Sequence, residues 1–292
     1  MPASVVEVSA RKLFFPRRRV IARFEQGADW SLAAVEPPAG PRVIVGMHSC
    51  DVAALRYLDR VFIDTEPGDA LYTAERARTA IVGVLCDEMK PSCHCTDRGL
   101  SPDETAGMDV ALRRGEGGWH ALALTERGGE LLPAAEAQAA PPPPARDWPK
   151  GNWPVPEPEE LMALYDDEFW TEASDICLTC GACTFACPTC SCYLVADEKH
   201  AGQGERVTCW DSCQFLSYSR ETSGHNPRKT NADRLRNRTL DKFAYRKLKY
   251  GVSACVGCGR CVLICPIKRS FPNLGRQLAA RAKQRKPAAE VK

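Results

Sequence analysis

Short apolar runs and one amphipathic segment organise the first 132 residues. Arg42–Cys50 (RVIVGMHSC) and Ala80–Cys86 (AIVGVLC) are rich in β-branched residues and predict buried strands. Between them, with Asp51 as the predicted N-cap, DVAALRYLDRVF places four apolar side chains on one helical face: Ala54, Leu55, Leu58 and Phe62. This order predicts a βαβ unit with parallel strands. Trp119–Leu132 predicts a later strand with a Gly-Gly turn.

The pattern changes after residue 132. Nine of the 26 residues from 133 to 158 are proline, which favours a stiff, extended linker or surface arm over a proline-rich ligand. Helical spacing resumes at 157–175, and the chain is predicted to be helical and cysteine-rich over 159–278, with a loose basic tail at 279–292. The predicted fold class is therefore α+β, with an N-terminal α/β domain (1–132) that contains a short parallel or mixed sheet.

Composition restricts the class of protein. The chain has 292 residues and 16 cysteines, and no run of 18 apolar residues predicts a membrane span. The N-terminal segment has no apolar core typical of an export signal, so we expect a reducing cytoplasm. In that compartment, cysteines in this number indicate metal ligands rather than disulfides.

The strongest chemical signal is a repeated cysteine motif. Residues 177–188 (CLTCGACTFACP) and 255–266 (CVGCGRCVLICP) both read C-x2-C-x2-C-x3-C-P, the spacing of bacterial two-cluster ferredoxins. Three close thiolates hold three corners of a [4Fe-4S] cube, and the cysteine before proline ligates the other cluster. This predicts set 1 (Cys177, Cys180, Cys183 and Cys265) and set 2 (Cys255, Cys258, Cys261 and Cys187).

Two features of the motif narrow its interpretation. Structural zinc sites use paired C-x2-C units, and two complete four-cysteine runs ending in Cys-Pro do not fit that habit. Cys187 and Cys255 lie far apart in sequence, with helical material such as ADRLRNRTLDKFAYRKLKYG between them. We therefore expect a large helical two-cluster domain of an oxidoreductase complex rather than a small diffusible ferredoxin.

A third cysteine set lies in the first domain. Two cysteines end the predicted parallel strands and two follow in the loop KPSCHCTD, so that all four meet at the carboxyl edge of the sheet. We call Cys50, Cys86, Cys93 and Cys95 set 3, and we expect it to bind a third [4Fe-4S] cluster; buried free thiols with one zinc site are the alternative. His48 and His94 flank this set. Either one hydrogen-bonds a sulfur, or replaces a thiolate ligand and raises the potential, or has an ordinary packing or surface role, which four available cysteines favour.

Four cysteines remain, and we call them set 4: Cys190, Cys192, Cys209 and Cys213. They either bind a fourth cluster or shield the neighbouring clusters as packed thiols. Trp210, which lies between two of them, is expected to exclude water from a cluster.

The segments CLTCGACTFACPTCSC, RVTCWDSC, GHNPRKTNADRLRNR and CVGCGRCVLICP resemble the four-iron dicluster family. Its members include the β subunit of cytoplasmic sulfhydrogenases and an iron–sulfur subunit of anaerobic sulfite reductase. In the first domain, VGMHSCDVAALRYLDRVF and VGVLCDEMKPSCHCTD are similar to the family's cysteine segments. His48-Ser49 departs from the arginine–proline expected before set 3, and Cys209 is unusual beside the WDSC segment.

The resemblance implies a non-catalytic electron-transfer subunit of a hydrogenase-like or sulfite-reductase-like oxidoreductase. Its expected partners are a flavoprotein that handles NAD(P)H and a catalytic metalloenzyme subunit, with no membrane insertion. The terminal substrate, the direction of electron flow, the potentials and the subunit stoichiometry do not follow from the sequence.

Charge offers an alternative function. Residues 228–292 contain 18 Lys and Arg against 3 Asp and Glu, whereas residues 1–227 contain 21 against 34. A basic C-terminal third is typical of nucleic-acid binding, so the alternative function is an iron–sulfur redox sensor or a nucleic-acid-binding protein that uses this basic third. The competing interpretation is that these cations offset the negative charge of cluster-bound thiolates.

Overall fold

The computed structural model of the chain describes the following residues: 8–26, 29–115, 117–132, 146–151, 153–269 and 271–285. Within them lie two four-stranded sheets and a set of mostly short helices.

The first sheet contains the predicted βαβ unit. Strand β3 (Arg42–His48) pairs in parallel with β4 (Thr79–Val84), as predicted, because helix α1 (Ser49–Phe62) provides the crossover. Strand β5 (Val110–Gly115) is also parallel to β4, and β6 (Gly118–Ala123) is antiparallel to β5. The strand order is therefore β3-β4-β5-β6, and a short helix, α2 (Ala70–Ala77), leads into β4.

The junction of β3 and α1 differs from its prediction. The helix begins at Ser49 with His48 as N-cap, so Asp51 lies in the first turn and does not cap it. Cys50 is consequently in the helix and not at the end of a strand. The predicted apolar face is confirmed, since Ala54, Leu55, Leu58 and Phe62 are all buried.

The predicted Gly-Gly turn after β6 is wrong. Gly128 and Gly129 lie inside helix α3 (Glu126–Leu131), where Thr125 caps the helix by accepting from the Gly128 amide at 3.0 Å. Glycine is required at position 128 because a Cβ there would lie 1.9 Å from the carbonyl oxygen of Asp109.

The second sheet is antiparallel and was not predicted. It pairs the hairpin β1 (Arg18–Gln26) and β2 (Trp30–Ala34) with the hairpin β7 (Tyr193–His200) and β8 (Gln203–Trp210), in the order β2-β1-β8-β7. The sheet therefore pairs strands near the N-terminus with strands from the later part of the chain. Residues 193–210 form strands within a region expected to be helical. The proposed domain limits stay a prediction.

The remaining elements are helical, as the pattern predicts. The helices after the first domain are α4 (Pro158–Ala163), α5 (Phe169–Ser174), α6 (Ala182–Phe185), α7 (Asn231–Leu240), α8 (Arg246–Tyr250), α9 (Arg260–Leu263) and α10 (Phe271–Gln284). A π-helical turn, Asp241–Tyr245, joins α7 to α8. Residues 279–284, predicted to begin a loose tail, belong to α10 because Leu278 and Ala279 are buried. Residues 286–292 lie outside the described residues.

Residues 133–145 of the proline-rich segment lie outside the described residues, and its later part is packed against the first domain. The carbonyl oxygen of Pro149 accepts from the Thr96 hydroxyl at 2.9 Å. The Trp153 ring lies 4.3 Å edge-on from that of His94. These contacts show an arm bound to the loop of set 3 rather than a free spacer.

Two apolar cores support the cysteine sets. One lies between the first sheet and α1, and it also contains Phe14, Phe15 and Ala254. The other joins Trp153 to α4, α5, α7 and α10 through Leu161, Trp170, Leu235 and Leu274. The predicted α+β class is confirmed.

Candidate metal centres

The four cysteines of set 3 meet at the carboxyl edge of the first sheet. Cys50 lies in the first turn of α1 and Cys86 follows β4, while Cys93 and Cys95 come from the loop beyond. Together with Cys258, all four line one cavity. Burial raises the pKa of the Cys86 and Cys95 thiols, to about 12 and about 11. Thiols buried in this way become ligands when a metal replaces the proton.

The two histidines beside set 3 have different environments. The His48 ring is buried, and its Nδ1 lies 3.6 Å from the Cys86 sulfur. His94 is directed away from sulfur, since its Nδ1 contacts the carbonyl oxygen of Ser92 at 2.8 Å and its ring packs on Trp153. Burial lowers the pKa of His94 to about 4, so this ring is neutral. Of the two, only His48 has the geometry to interact with a set 3 thiolate.

The loop of set 2 packs directly against the loop of set 3. The His94 amide donates to the carbonyl oxygen of Gly257 at 2.8 Å. Gly257 and Gly259 have positive φ, and a Cβ on them would lie 2.4 Å from the His94 carbonyl oxygen and 2.2 Å from that of Ser92. The repeated motif thus needs glycine here for loop packing as well as for its turn. This close approach puts Cys258 in the wall of the set 3 cavity.

The predicted members of set 2 lie near one another, with Cys187 of the first motif close to three cysteines of the second motif. Burial, with a contribution from the neighbouring Cys187, raises the pKa of Cys255, Cys258 and Cys261. Cys187 itself has a lowered pKa because Cys190 donates a hydrogen bond to it and the Lys242 ammonium lies close by. The Thr189 hydroxyl, 3.3 Å from the Cys187 sulfur, extends this polar environment.

Set 1 lies nearer the surface. Cys177, Cys180, Cys183 and Cys265 line one cavity together with Cys261 of set 2. Cys180 is exposed. One cysteine of set 2 therefore lines the cavity of set 1, and another lines the cavity of set 3. Set 2 thus lies between the other two sets.

Three members of set 4 are also neighbours. Cys213 lies beside both Cys192 and Cys190. Cys209 lies in β8 and pairs with Leu194, one position from the last residue pair of the β7–β8 hairpin. Trp210 stacks on Phe15 and Phe185 at centroid distances of 6.2 and 6.3 Å. This packing is consistent with its predicted role in excluding water.

Buried cations surround the cysteines, and the sequence did not single them out. Arg238 and Lys242 are 3% and 5% exposed, and within the described residues neither has a carboxylate partner. Arg238 donates to the Cys190 sulfur at 3.4 Å, and its Nε has no acceptor in the described part of the chain. Burial alone would lower the pKa of both side chains, but nearby thiolates raise both. Buried cations of this kind require buried negative charge.

The donor set therefore fits [4Fe-4S] clusters. A four-thiolate cluster carries a net charge of about 2−, and its sulfides accept N–H hydrogen bonds. Arg260 is the matching cation near set 3, with Nη1 3.9 Å from the Cys50 sulfur and Nη2 2.7 Å from the Asp51 carboxylate. The sequence signal for these cations was the basic C-terminal third, which indicated charge compensation but not which side chains provide it. Among the described residues, no group of three or more His, Cys, Asp or Glu side chains is placed to hold a single metal ion.

Comparison with known proteins agrees with this chemistry. Residues 176–269 match the model of the 4Fe-4S dicluster domain. The chain is 30% identical over 244 residues to the sulfhydrogenase 2 subunit beta of Pyrococcus furiosus, an alignment that covers 78% of this chain and 71% of that protein. The chain belongs to the four-iron dicluster family of iron–sulfur electron-transfer subunits. No solved structure matches it.

Membership of the dicluster family confirms [4Fe-4S] clusters as the cofactor of this chain. The matched residues 176–269 contain every member of sets 1, 2 and 4, whereas set 3 lies outside this range. No helix in the described residues is long and apolar enough to cross a membrane.

Proposed function

We propose that this chain is the electron-relay subunit of a hydrogenase-like complex in a reducing cytoplasm. In this proposal it passes single electrons between a flavoprotein subunit that oxidises or reduces NAD(P)H and a catalytic metal subunit. Its cysteines hold the clusters, and no residue of the chain transforms a substrate. The relative's name, a sulfhydrogenase subunit, supports the assignment to such a complex. A sulfite-reductase-like complex would use the same relay.

The adjacency of the three cysteine sets is the observation that carries the proposal. Cys258, assigned to set 2, lines the set 3 cavity, and Cys261, also of set 2, lines the set 1 cavity. Clusters held by sets 3, 2 and 1 would therefore form a continuous series from the edge of the first sheet to the surface at Cys180. Such a series suits electron transfer through the protein better than reaction at one site.

Apolar side chains around set 1 support this surface as a docking site for a redox partner. Ile176 and Leu178 flank Cys177 and are 64% and 63% exposed. Ile264, which precedes Cys265, is 43% exposed. Exposed apolar side chains beside a redox centre are typical of a face that a partner subunit covers.

Buried cations weaken the alternative of nucleic-acid binding. Arg238, Lys242 and Arg260 all belong to the basic C-terminal third, and all are at most 5% exposed. These side chains are directed at sulfur, carbonyl, hydroxyl and carboxylate groups inside the protein and are unable to reach phosphates. The basic third therefore serves cluster charge compensation at least in part.

The first experiment is an anaerobic purification of the tagged chain from its own cells, with iron, sulfide and flavin analysis. We expect a copurifying flavoprotein, and cluster reduction by NAD(P)H in the complex but not in the isolated chain. Replacing Cys180, Cys258 or Cys93 by serine should each remove or alter one cluster of about four irons and reduce turnover. Each variant is the control for the other two, since the remaining EPR signals should persist.

Two results would contradict the relay. Zinc in place of iron would remove its cofactor, and unchanged turnover in the Cys258→Ser complex would remove set 2 from the electron path. A chain that purifies alone and binds DNA in a salt-dependent manner would support the sensor instead.

A further inference from the structure

Set 4 lies where the second sheet meets the helical region. Cys192 directly precedes β7, and Cys209 is the penultimate residue of β8. The Asp211 amide donates to the Cys192 carbonyl oxygen at 3.0 Å, which extends the hairpin by one pair beyond Tyr193 and Trp210. Since directly opposed residues share a face and faces alternate, Cys192 and Cys209 lie on the same face of the hairpin.

The other two cysteines approach that end of the hairpin from the connecting segments. Cys190 and Cys213 are each 8% exposed. The Cys192 thiol lies within hydrogen-bonding distance of the Cys213 sulfur, and the Arg238 guanidinium lies close by. Three thiols thus lie together at one end of the hairpin, and Cys209 lies two positions along the same face. Four thiols are the number that a [4Fe-4S] cluster requires.

Arg11 gives a second, independent indication. Its side chain comes from the N-terminal segment, is 3% exposed and lies 3.7 Å above the centre of the Trp210 ring. One Nη donates to the carbonyl oxygen of Cys190 and the other to that of Phe185 at 3.2 Å. Within the described residues it has no carboxylate partner, and its Nε has no acceptor. A buried cation with an unused donor is costly unless a further anion is present.

Sets 1, 2 and 3 together provide only one of the sulfur atoms that lie near Arg11. The sulfur atoms close enough to affect the pKa of Arg11 belong to Cys190, Cys187 and Cys192, two of which are in set 4. Arg238 contacts a different atom of Cys190, with Nη1 3.4 Å from its sulfur, whereas Arg11 contacts its carbonyl oxygen. Cys190 therefore contacts two buried guanidinium groups.

We propose that Cys190, Cys192, Cys209 and Cys213 bind a fourth [4Fe-4S] cluster, whose charge and sulfides Arg11 and Arg238 compensate. The site lies beside Cys187 of set 2, so the fourth cluster branches from the middle of the series. The chain would thereby give electrons a third route of exchange. This inference does not depend on the identity of any partner subunit.

Iron analysis of the anaerobic holoprotein is the test. With sets 1 to 3 filled, we expect about sixteen irons per chain rather than about twelve. Cys213→Ala and Cys209→Ala should each lose iron from the fourth cluster only, leaving about twelve irons if the cluster is lost entirely. Val207→Ala is the matched control, because Val207 is fully buried on the same strand as Cys209 and contributes no sulfur. It should keep all its iron.

Arg11→Met adds a readout that a purely structural role would not change. Removing a buried positive charge beside a cluster disfavours the more negative, reduced state, so one EPR-monitored midpoint potential should fall while the others remain. An iron content in both cysteine variants equal to that of the wild-type holoprotein would overturn the proposal. A Cys192–Cys213 disulfide in the holoprotein would do the same. Failure of the proposed relay function would instead appear as the absence of iron from set 1, set 2 or set 3.

Discussion

Two regions of this chain bury charged side chains, and they neutralise them differently. At the amino edge of the first sheet, the Asp109 carboxylate accepts from the Ile81 amide at 2.8 Å, the Thr125 hydroxyl at 2.7 Å and Arg127 at 3.3 Å. In the cysteine-rich interior, Arg238 and Lys242 contact sulfur, carbonyl or hydroxyl groups and no carboxylate of the described residues. The first region is complete as protein alone, whereas the second depends on the charge of bound clusters.

Arg260 combines both arrangements. It is fully buried and pairs with Asp51 at 2.7 Å, yet its other Nη lies 3.9 Å from the Cys50 sulfur. Set 3 therefore has a cation that remains paired without iron, whereas the Arg238 and Lys242 region does not. We expect the first domain to tolerate iron loss better than the helical region.

Iron removal should have the largest effect. Chelation leaves Arg238 and Lys242 without compensating charge, and each uncompensated buried charge costs about 3–5 kcal/mol. Denaturant titration of the holoprotein and apoprotein should show this loss, and hydrogen exchange should rise in α7 while β3 and β4 stay protected. Equal loss of protection in both regions would contradict the comparison.

The effect of Lys242→Met on the free energy of unfolding should differ between the holoprotein and the apoprotein. In the holoprotein it leaves cluster charge uncompensated and should lower the free energy of unfolding by about 3 kcal/mol. In the apoprotein it removes a buried charge that has lost its counter-charge, so stability should be unchanged or higher. Lys247→Met is the control, since Lys247 is exposed and pairs with Glu157. An equal loss in both forms would show that Lys242 is only a packing residue.

Asp109→Ala should destabilise both forms alike, by about 2–3 kcal/mol, because it leaves the Ile81 amide and Thr125 hydroxyl unpaired. Burial alone would raise the pKa of Asp109, but the donors from Ile81, Thr125 and Arg127 lower it. The stability from its ionised form is thus complete above the ordinary aspartate pKa and is lost as pH falls through the lowered value. Unfolding measured against pH should show a shallower acid limb in the variant. A loss confined to the apoprotein would link this region to iron.

Sequence reasoning found what periodicity and spacing encode. The βαβ unit and the motifs of sets 1 and 2 are local patterns, and the family assignment followed from them. The sheet β2-β1-β8-β7 was missed because its two hairpins are more than 150 residues apart. In addition, the buried residues of β8 are the adjacent Val207 and Thr208, so burial does not alternate along this strand. Pairing of that kind depends on tertiary packing, which no local window contains.

The buried cations were missed for a related reason. Arg11 and Arg238 look like surface residues in sequence, and only the fold brings them to Cys190 from opposite ends of the chain. The basic C-terminal third suggested charge compensation as a property of a region. Which cations are buried depends on contacts between α7, the N-terminal segment and the cysteine loops.

The smallest expected effect comes from replacing an exposed ion pair, which we compare with a more buried ion pair of the same hydrogen-bond lengths. Arg206 pairs with Asp197 across β7 and β8 through two hydrogen bonds of 2.8 and 2.9 Å, and Arg76 pairs with Asp59 through bonds of the same two lengths. The Arg206 and Asp197 side chains are 45% and 46% exposed, against 17% and 23% for Arg76 and Asp59. Arg206→Ala should therefore leave the free energy of unfolding unresolved from wild type, because water screens the pair. Arg76→Ala should give a measurable loss with and without iron, since Asp59 would keep only the Tyr72 hydroxyl at 2.8 Å as a partner among these contacts. Equal effects of the two substitutions would mean that burial does not decide the strength of ion pairs in this chain, and the contrast between the amino edge and the cysteine-rich interior would lose its physical basis.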